Sequence, residues 1–200
     1  MIEPIIGELL SLVPAFELGL WNAWILILPI IVASLFGSRI LRKRKTEEDS
    51  GNTKGKTASI FYFAIVLLSY AYSIFLPLKL NTVWFVIGLL LYLPAILFLF
   101  IGLLNFANTP TDELVTKGAY GFSRNPSYIS DFLITISIGI ACLSWIFLLV
   151  AFMDFLLLRY YVASVEEPFL LEKYGNVYRG YMNRTPRWIG IPRSEKKNKT

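Results

Sequence analysis

Leu18 to Ser38 is a run of 21 residues without a single charge, and it restricts the fold more than any other feature of the chain. A helix rises about 1.5 Å per residue, so roughly 20 apolar residues cross the ~30 Å hydrocarbon layer of a bilayer. Ala58 to Leu78 and Val83 to Phe106 repeat the pattern. A longer stretch from Tyr128 to Val165 is broken only by Asp131, Asp154 and Arg159. As one helix, that stretch would reach about 57 Å, close to two bilayer thicknesses. The economical reading is two short arms turning near Leu143-Ser144-Trp145. The expected fold is therefore all-α and integral to a membrane: five transmembrane helices, the last two a helical hairpin, then a cytoplasmic C-terminal helical segment.

Composition narrows the chemistry. Of 200 residues, 56% are hydrophobic and 16% charged, where soluble domains average about 25% charged. Histidine is absent and Cys142 is the one cysteine. Those counts exclude a histidine-activated serine or cysteine nucleophile, a zinc site built from sulfur or imidazole, and an intrachain disulfide. No metal is expected.

The net charge of +5 has a direction. Between Arg39 and Thr57 stand seven lysines and arginines, Lys117 and Arg124 add two, and nine lie from Arg159 onward. With five spans, all of these fall on one side, and Lys79 is alone opposite. Basic segments stay cytoplasmic, so the N-terminus is expected outside and the C-terminus in the cytoplasm, in the cell membrane of a prokaryote or the endoplasmic reticulum of a eukaryote. The charge is a topology signal with a minor part in holding anionic lipid. No aromatic-interleaved basic groove suggests nucleic acid. The acidic flank of the first span (Glu3, Glu8, Glu17) argues against a cleaved signal peptide.

The chain divides as one membrane domain over 1–200. It comprises an outer interfacial segment at 1–17, three transmembrane helices over 18–106, a loop, hairpin and C-terminal segment over 107–190, and a basic tail at 191–200. The stretch Thr46 to Thr57 is polar and loop-like.

Polar groups that persist beside a membrane mark function, and two segments hold them. In Lys117-Gly118-Ala119-Tyr120-Gly121-Phe122-Ser123-Arg124-Asn125-Pro126-Ser127-Tyr128, Pro126 pushes Asn125 out of helical geometry and can itself open a helix. Arg124, Asn125 and free backbone N–H groups then sit at a helix N-terminus, where anions bind. An arginine reaching for lipid phosphate fits the same spacing. The second segment starts at Arg159 and holds Glu166 and Glu167. Arg159 and Glu166 are seven apart, two helical turns, and so share a face. One glutamate would pair with Arg159 and the other bind a ligand, or the pair is purely structural. Asp131 and Asp154 lie inside spans, where carboxylates need partners or neutralisation. Ser130, Thr135 and Ser137 can satisfy them, or they serve as proton-relay groups.

In order and spacing, Gly118-x-Tyr120-x-x-x-Arg124-Asn125-Pro126-x-Tyr128, a hydrophobic hairpin, Arg159-x-x-Val162-x-x-x-Glu166-Glu167 and Tyr174-Gly175-x-x-Tyr178-x-x-Tyr181-x-x-Arg184-x-Pro186 resemble the isoprenylcysteine carboxyl methyltransferase and phospholipid methyltransferase superfamily. The family often has Arg-His-Pro where this chain has Arg124-Asn125-Pro126. Asparagine hydrogen-bonds as neutral histidine does but does not titrate. The resemblance implies S-adenosylmethionine bound on the cytoplasmic side between the hairpin and the C-terminal segment. It assigns cofactor binding to Tyr120, Arg124, Asn125, Pro126, Tyr128, Arg159, Glu166, Glu167 and Tyr178, and a catalytic part to Arg184 and Asn125. Arginine suits the ligand's carboxylate, a glutamate its ribose diol, and tyrosine faces its sulfonium. The expected enzyme is a membrane S-adenosylmethionine-dependent methyltransferase (EC 2.1.1 type) acting on an amphiphilic or lipidated acceptor, an isoprenylcysteine-type carboxylate first and a phospholipid amine as the alternative. From other classes, a small proton-coupled transporter using Asp131, Asp154 and Arg159 and a non-catalytic membrane scaffold compete with it.

Overall fold

Residues that can cap a helix stand in front of the long apolar runs. Thr82 accepts the Phe85 N–H at 3.2 Å, Ser144 accepts the Phe147 N–H at 3.3 Å, and Pro126 occupies a first helical position where its missing N–H costs nothing. In the computed structural model, which describes residues 16–44 and 53–190, these signals open α3, α6 and α5 respectively. The elements run α1 (Trp24–Arg44), α2 (Thr53–Ser73), α3 (Val83–Asn108), the single turn α4 (Ala119–Phe122), α5 (Pro126–Ala141), α6 (Trp145–Tyr161), a π-helical turn (Val162–Glu166), α7 (Glu167–Tyr174) and α8 (Asn176–Arg184). No strand forms among the described residues, and Asn22 and Pro77 share one isolated bridge. The fold is all-helical, as expected. The polar stretch expected as a loop from Thr46 to Thr57 is helical from Thr53, where α2 begins; the expectations for its earlier part, for most of the outer interfacial segment and for the basic tail fall outside the described residues.

The anticipated hairpin is formed by α5 and α6. Its turn is a Schellman motif, in which Ser144 N–H reaches the Gly139 carbonyl at 2.9 Å and Leu143 N–H the Ile140 carbonyl at 3.1 Å. Leu143 takes the left-handed position (φ 52°) that glycine usually fills. At 16 residues, α5 is about 24 Å long, short of a straight crossing.

α3 packs most extensively on α5, and the reason is local. Gly88 comes so close to α5 that a Cβ there would lie 2.7 Å from both the Ala141 Cβ and the Ser137 carbonyl oxygen. Small residues at such contacts let helix backbones approach where lipid supplies no hydrophobic drive. The core includes Ala23 just before α1, Ile27 and Ile30 of α1, Tyr92, Ala95 and Leu99 of α3, and Ile134, Ile138 and Phe147 of the hairpin. The Tyr92 hydroxyl donates to the Leu26 carbonyl at 2.7 Å, tying α3 to α1.

Two stretches among the described residues, Val83–Asn108 and the continuous Trp145–Tyr174, are long and apolar enough to cross a bilayer. Trp24–Ile40, Ala64–Ser73 and Pro126–Ala141 are shorter apolar helices. Leu90, Leu93 and Leu97 of α3 and Leu149, Phe152 and Leu156 of α6 turn outward and are exposed. These helices fit a membrane protein. Polar connections gather at two ends. At one, Asn22 donates from its amide to the carbonyls of Glu17 and Ile74, and Lys79 N–H joins the Ala141 carbonyl at 3.1 Å. At the other lie α4, the α4–α5 loop and everything after α6.

Candidate active site

The site is assembled by a fold-back of the chain after α8. Arg124 N–H donates to the Pro186 carbonyl at 3.0 Å. The Ser123 hydroxyl and the Asn125 amide both donate to the Arg187 carbonyl, at 3.2 and 2.9 Å. Trp188 packs on Phe155 of α6, centroids 5.0 Å apart, and Phe155 on Phe132 of α5. Segment 185–188 is thereby sewn to the start of α5. Pro126 causes the local geometry: it bars Asn125 from a helical conformation, leaving it at φ −130°, ψ 57°. Gly118, at φ 62°, turns the chain where any Cβ would collide with Asn105, whose side-chain oxygen accepts the Ala119 N–H at 2.9 Å. The Tyr181 hydroxyl of α8 donates to the Tyr120 carbonyl of α4 at 2.7 Å.

The glutamates are delivered by the π-helical turn. Proline at 168 has no N–H to give the Ser164 carbonyl, and in a regular helix its ring would strike that carbonyl. The chain widens instead, and Glu167 N–H bonds to the Val162 carbonyl, five residues back. The extra residue rotates the downstream helix by roughly 100° relative to an uninterrupted 3.6-residue repeat. This changes one sequence expectation. Arg159 is exposed, and among the described residues no ion pair joins it to Glu166 or Glu167; the seven-residue spacing held only for an uninterrupted α-helix.

Glu167 is instead gripped by two arginines. It is 4% exposed, with Arg124 Nη2 at 3.0 Å from its Oε1. Arg187 forks onto both of its oxygens, Nε to Oε1 at 2.9 Å and Nη2 to Oε2. Those hydrogen bonds hold the Arg187 guanidinium above its usual pKa. Glu166 points elsewhere, accepting a hydrogen bond from Tyr128 of α5. Tyr178 stands within the field of Glu167, Arg124, Glu166 and Arg187; burial first, then the Glu167 charge, pushes its hydroxyl up to about 12. Burial likewise raises Tyr181. Both phenols keep their protons at neutral pH.

Three buried polar features remain unused. Arg124 Nε and Nη1 have no acceptor, and Glu166 Oε2 has no donor. A guanidinium with two spare nitrogens beside a carboxylate with a spare oxygen is chemically a zwitterion receptor: one end takes an anion, the other a hydroxyl or ammonium donor.

Of the sequence-predicted residues, Arg124, Asn125, Pro126, Tyr128, Glu166, Glu167 and Tyr178 are brought together, with Tyr120 linked through Tyr181. Arg184, on the last turn of α8, is exposed, and Arg159 lies away from the cluster. Asn125 spends its amide on the Arg187 carbonyl, a positioning contact. Sequence reasoning missed Arg187 and Asn105. The one signal for Arg187 was its place directly after the matched Arg184-x-Pro186.

Residues 84–177 match the family model of the phospholipid methyltransferases. No match is found among curated proteins or among solved structures. The matched stretch runs from the first turn of α3 into α8, taking in the hairpin, the Arg124 loop and both glutamates, and it supports a membrane methyltransferase. Over those residues the chain is similar to the phospholipid methyltransferases, consistent with the isoprenylcysteine carboxyl methyltransferase and phospholipid methyltransferase superfamily that its motifs resemble.

Proposed function

We propose that this protein is a membrane-embedded methyltransferase that binds S-adenosylmethionine with the Arg124–Glu166–Glu167 cluster and methylates an amphiphilic acceptor. The observation that carries the reading is the set of buried atoms without partners, Arg124 Nε and Nη1 and Glu166 Oε2. A buried charged donor or acceptor left unsatisfied costs about 1–3 kcal/mol or more, and an amino-acid-bearing nucleoside offers the complement of each. The residues present fit the group. Arg124 would take its carboxylate, Glu166 and Glu167 its ammonium and ribose hydroxyls, and Tyr120, Tyr128 and Tyr178 its cationic centre. When bound, the cofactor supplies an electrophilic methyl group on a sulfonium.

The rest of the mechanism belongs to the chain. Phe106, stacked on Tyr120 at 6.4 Å, and the Trp188–Phe155–Phe132 row exclude water from the acceptor's nucleophile, which raises its reactivity. Pro126 and Asn125 fix the loop that aims Arg124. Arg184, at the edge of α8, holds the acidic part of the acceptor head, and Arg159 anchors to headgroup phosphate. We place the five helices α1, α2, α3, α5 and α6 across the bilayer, with the cluster on the cytoplasmic side, the N-terminus outside, and residues 1–200 forming a single domain. The membrane is the cell membrane in a prokaryote and the endoplasmic reticulum in a eukaryote.

The test is thermal unfolding of purified full-length protein with S-adenosylhomocysteine. A ligand at a hundredfold its dissociation constant adds about 2.7 kcal/mol, so the midpoint should rise by several degrees. Arg124→Ala and Glu167→Ala should each abolish the rise. Full retention in both variants removes this site.

For the acceptor, we favour an isoprenylcysteine-type carboxylate, which needs no base because it is ionised near neutrality. The family match favours a second reading, a phospholipid amine. Turnover of a carboxylate should be nearly flat from about pH 6 to 9. Turnover of an amine should climb up to tenfold per unit below the amine's own pKa, because only the unprotonated form attacks. A pH–rate profile on the two acceptor classes separates them.

A further inference from the structure

The Arg187 side chain does something that its main chain does not require. The Arg187 carbonyl accepts from the Ser123 hydroxyl and the Asn125 amide, and the neighbouring Pro186 carbonyl accepts from Arg124 N–H. Those bonds hold the returning segment whichever way the guanidinium points. The guanidinium itself lies on Glu167, through Nε to Oε1 at 2.9 Å and Nη2 to Oε2.

An ionised carboxylate offers roughly four lone-pair sites. On Glu167, Arg187 fills one on each oxygen, and Arg124 Nη2 takes another on Oε1 at 3.0 Å. A ligand bearing hydroxyls or an ammonium finds little of Glu167 left. The two arginines differ in how readily they give way. The Arg124 side chain is 8% exposed, and its Nε and Nη1 are buried without an acceptor, so leaving Glu167 would strand a buried charge. The Arg187 side chain is 35% exposed and can trade the carboxylate for water at small cost. Charge favours the same exchange. Two guanidiniums around the Glu167 carboxylate leave a surplus of positive charge, which repels an arriving cation. Departure of Arg187 lets a ligand cation take its place one for one.

We propose that Arg187 is a displaceable stand-in for ligand: its guanidinium holds Glu167 before the cofactor arrives and is expelled into solvent when the cofactor's ammonium or ribose hydroxyls take the carboxylate. The inference rests on the cofactor reading above and adds an internal competitor to it. A ligand without donors for Glu167 leaves the fork closed, so the exchange also selects for those donors.

The test is the affinity of full-length protein in lipid nanodiscs for S-adenosylhomocysteine, measured by titration calorimetry. Arg187→Ala should bind about fivefold more tightly than the parent, the roughly 1 kcal/mol of a part-exposed ion pair expressed as affinity. Without ligand, the same variant should unfold at a lower temperature than the parent. Stability and affinity then move in opposite directions, whereas loss of a purely structural arginine would raise neither. Arg187→Lys keeps the charge but not the fork; it should fall between the two, and it carries the comparison if the alanine variant does not fold. Equal or weaker binding by these variants, beside a parent that binds, overturns the proposal and leaves the cofactor reading standing. A parent that binds no S-adenosylhomocysteine overturns both.

Discussion

Glu167 holds two guanidiniums at once, and the partners differ in surroundings. The Arg124 side chain is 8% exposed, whereas that of Arg187 is 35% exposed. Removing one partner of a buried pair costs about 3–5 kcal/mol, but a partner open to water contributes about 1 kcal/mol or less. Arg124→Ala should therefore lower stability well beyond Arg187→Ala. A double-mutant cycle of Arg187→Ala with Glu167→Gln, read by denaturant unfolding in detergent, should give a coupling of about 1 kcal/mol; strict additivity would mean the forked pair contributes nothing. At this scale the sequence was legible where charge meets apolar surroundings. Arg124, Glu166 and Glu167 stand out because ionised groups at a membrane boundary need a reason. Arg187 did not stand out, because its importance comes from a fold-back that local pattern does not encode. Asn105 was invisible for a similar reason: it serves a backbone N–H fourteen residues downstream.

The helices and the hairpin turn were readable because apolar run length and capping residues are local properties. Their contacts were less so. Gly88 and Gly180 look alike in sequence, yet a Cβ on Gly88 would meet α5 at 2.7 Å, while one on Gly180 would meet nothing within 4 Å. Opposite outcomes are expected. Gly88→Ala should destabilise by about 1–3 kcal/mol as α3 and α5 are forced apart. Gly180→Ala, inside α8, should stabilise by up to about 1 kcal/mol through helix propensity. Unfolding midpoints of the two variants against the parent check both signs. The π-helical turn was the main element hidden from periodicity. Pro168 announced an interruption but not its form, and a one-residue widening was enough to turn Glu167 toward Arg124 and Glu166 toward Tyr128.

For the molecule as a whole, the charge pattern leads us to expect eighteen of nineteen lysines and arginines on one side of the membrane. Lys117 is exposed at the Arg124 end and Asn81 is exposed at the hairpin-turn end. Cys142 is buried, which leaves a quiet background for labelling. In sealed cells, Asn81→Cys should react with an impermeant maleimide, while Lys117→Cys should react only after the membrane is opened. The reverse pattern would invert the topology and place the cluster outside.

The seam between segment 185–188 and the Arg124 loop rests largely on carbonyl oxygens of the returning chain. Carbonyls belong to every residue type, so side-chain replacement at position 187 leaves the stitching in place and severs only the guanidinium's grip. Tolerance of substitution there would speak of the side chain alone and leave the architecture unexamined. A break in the main chain's course, such as an inserted residue between Thr185 and Trp188, is the lesion this joint would feel.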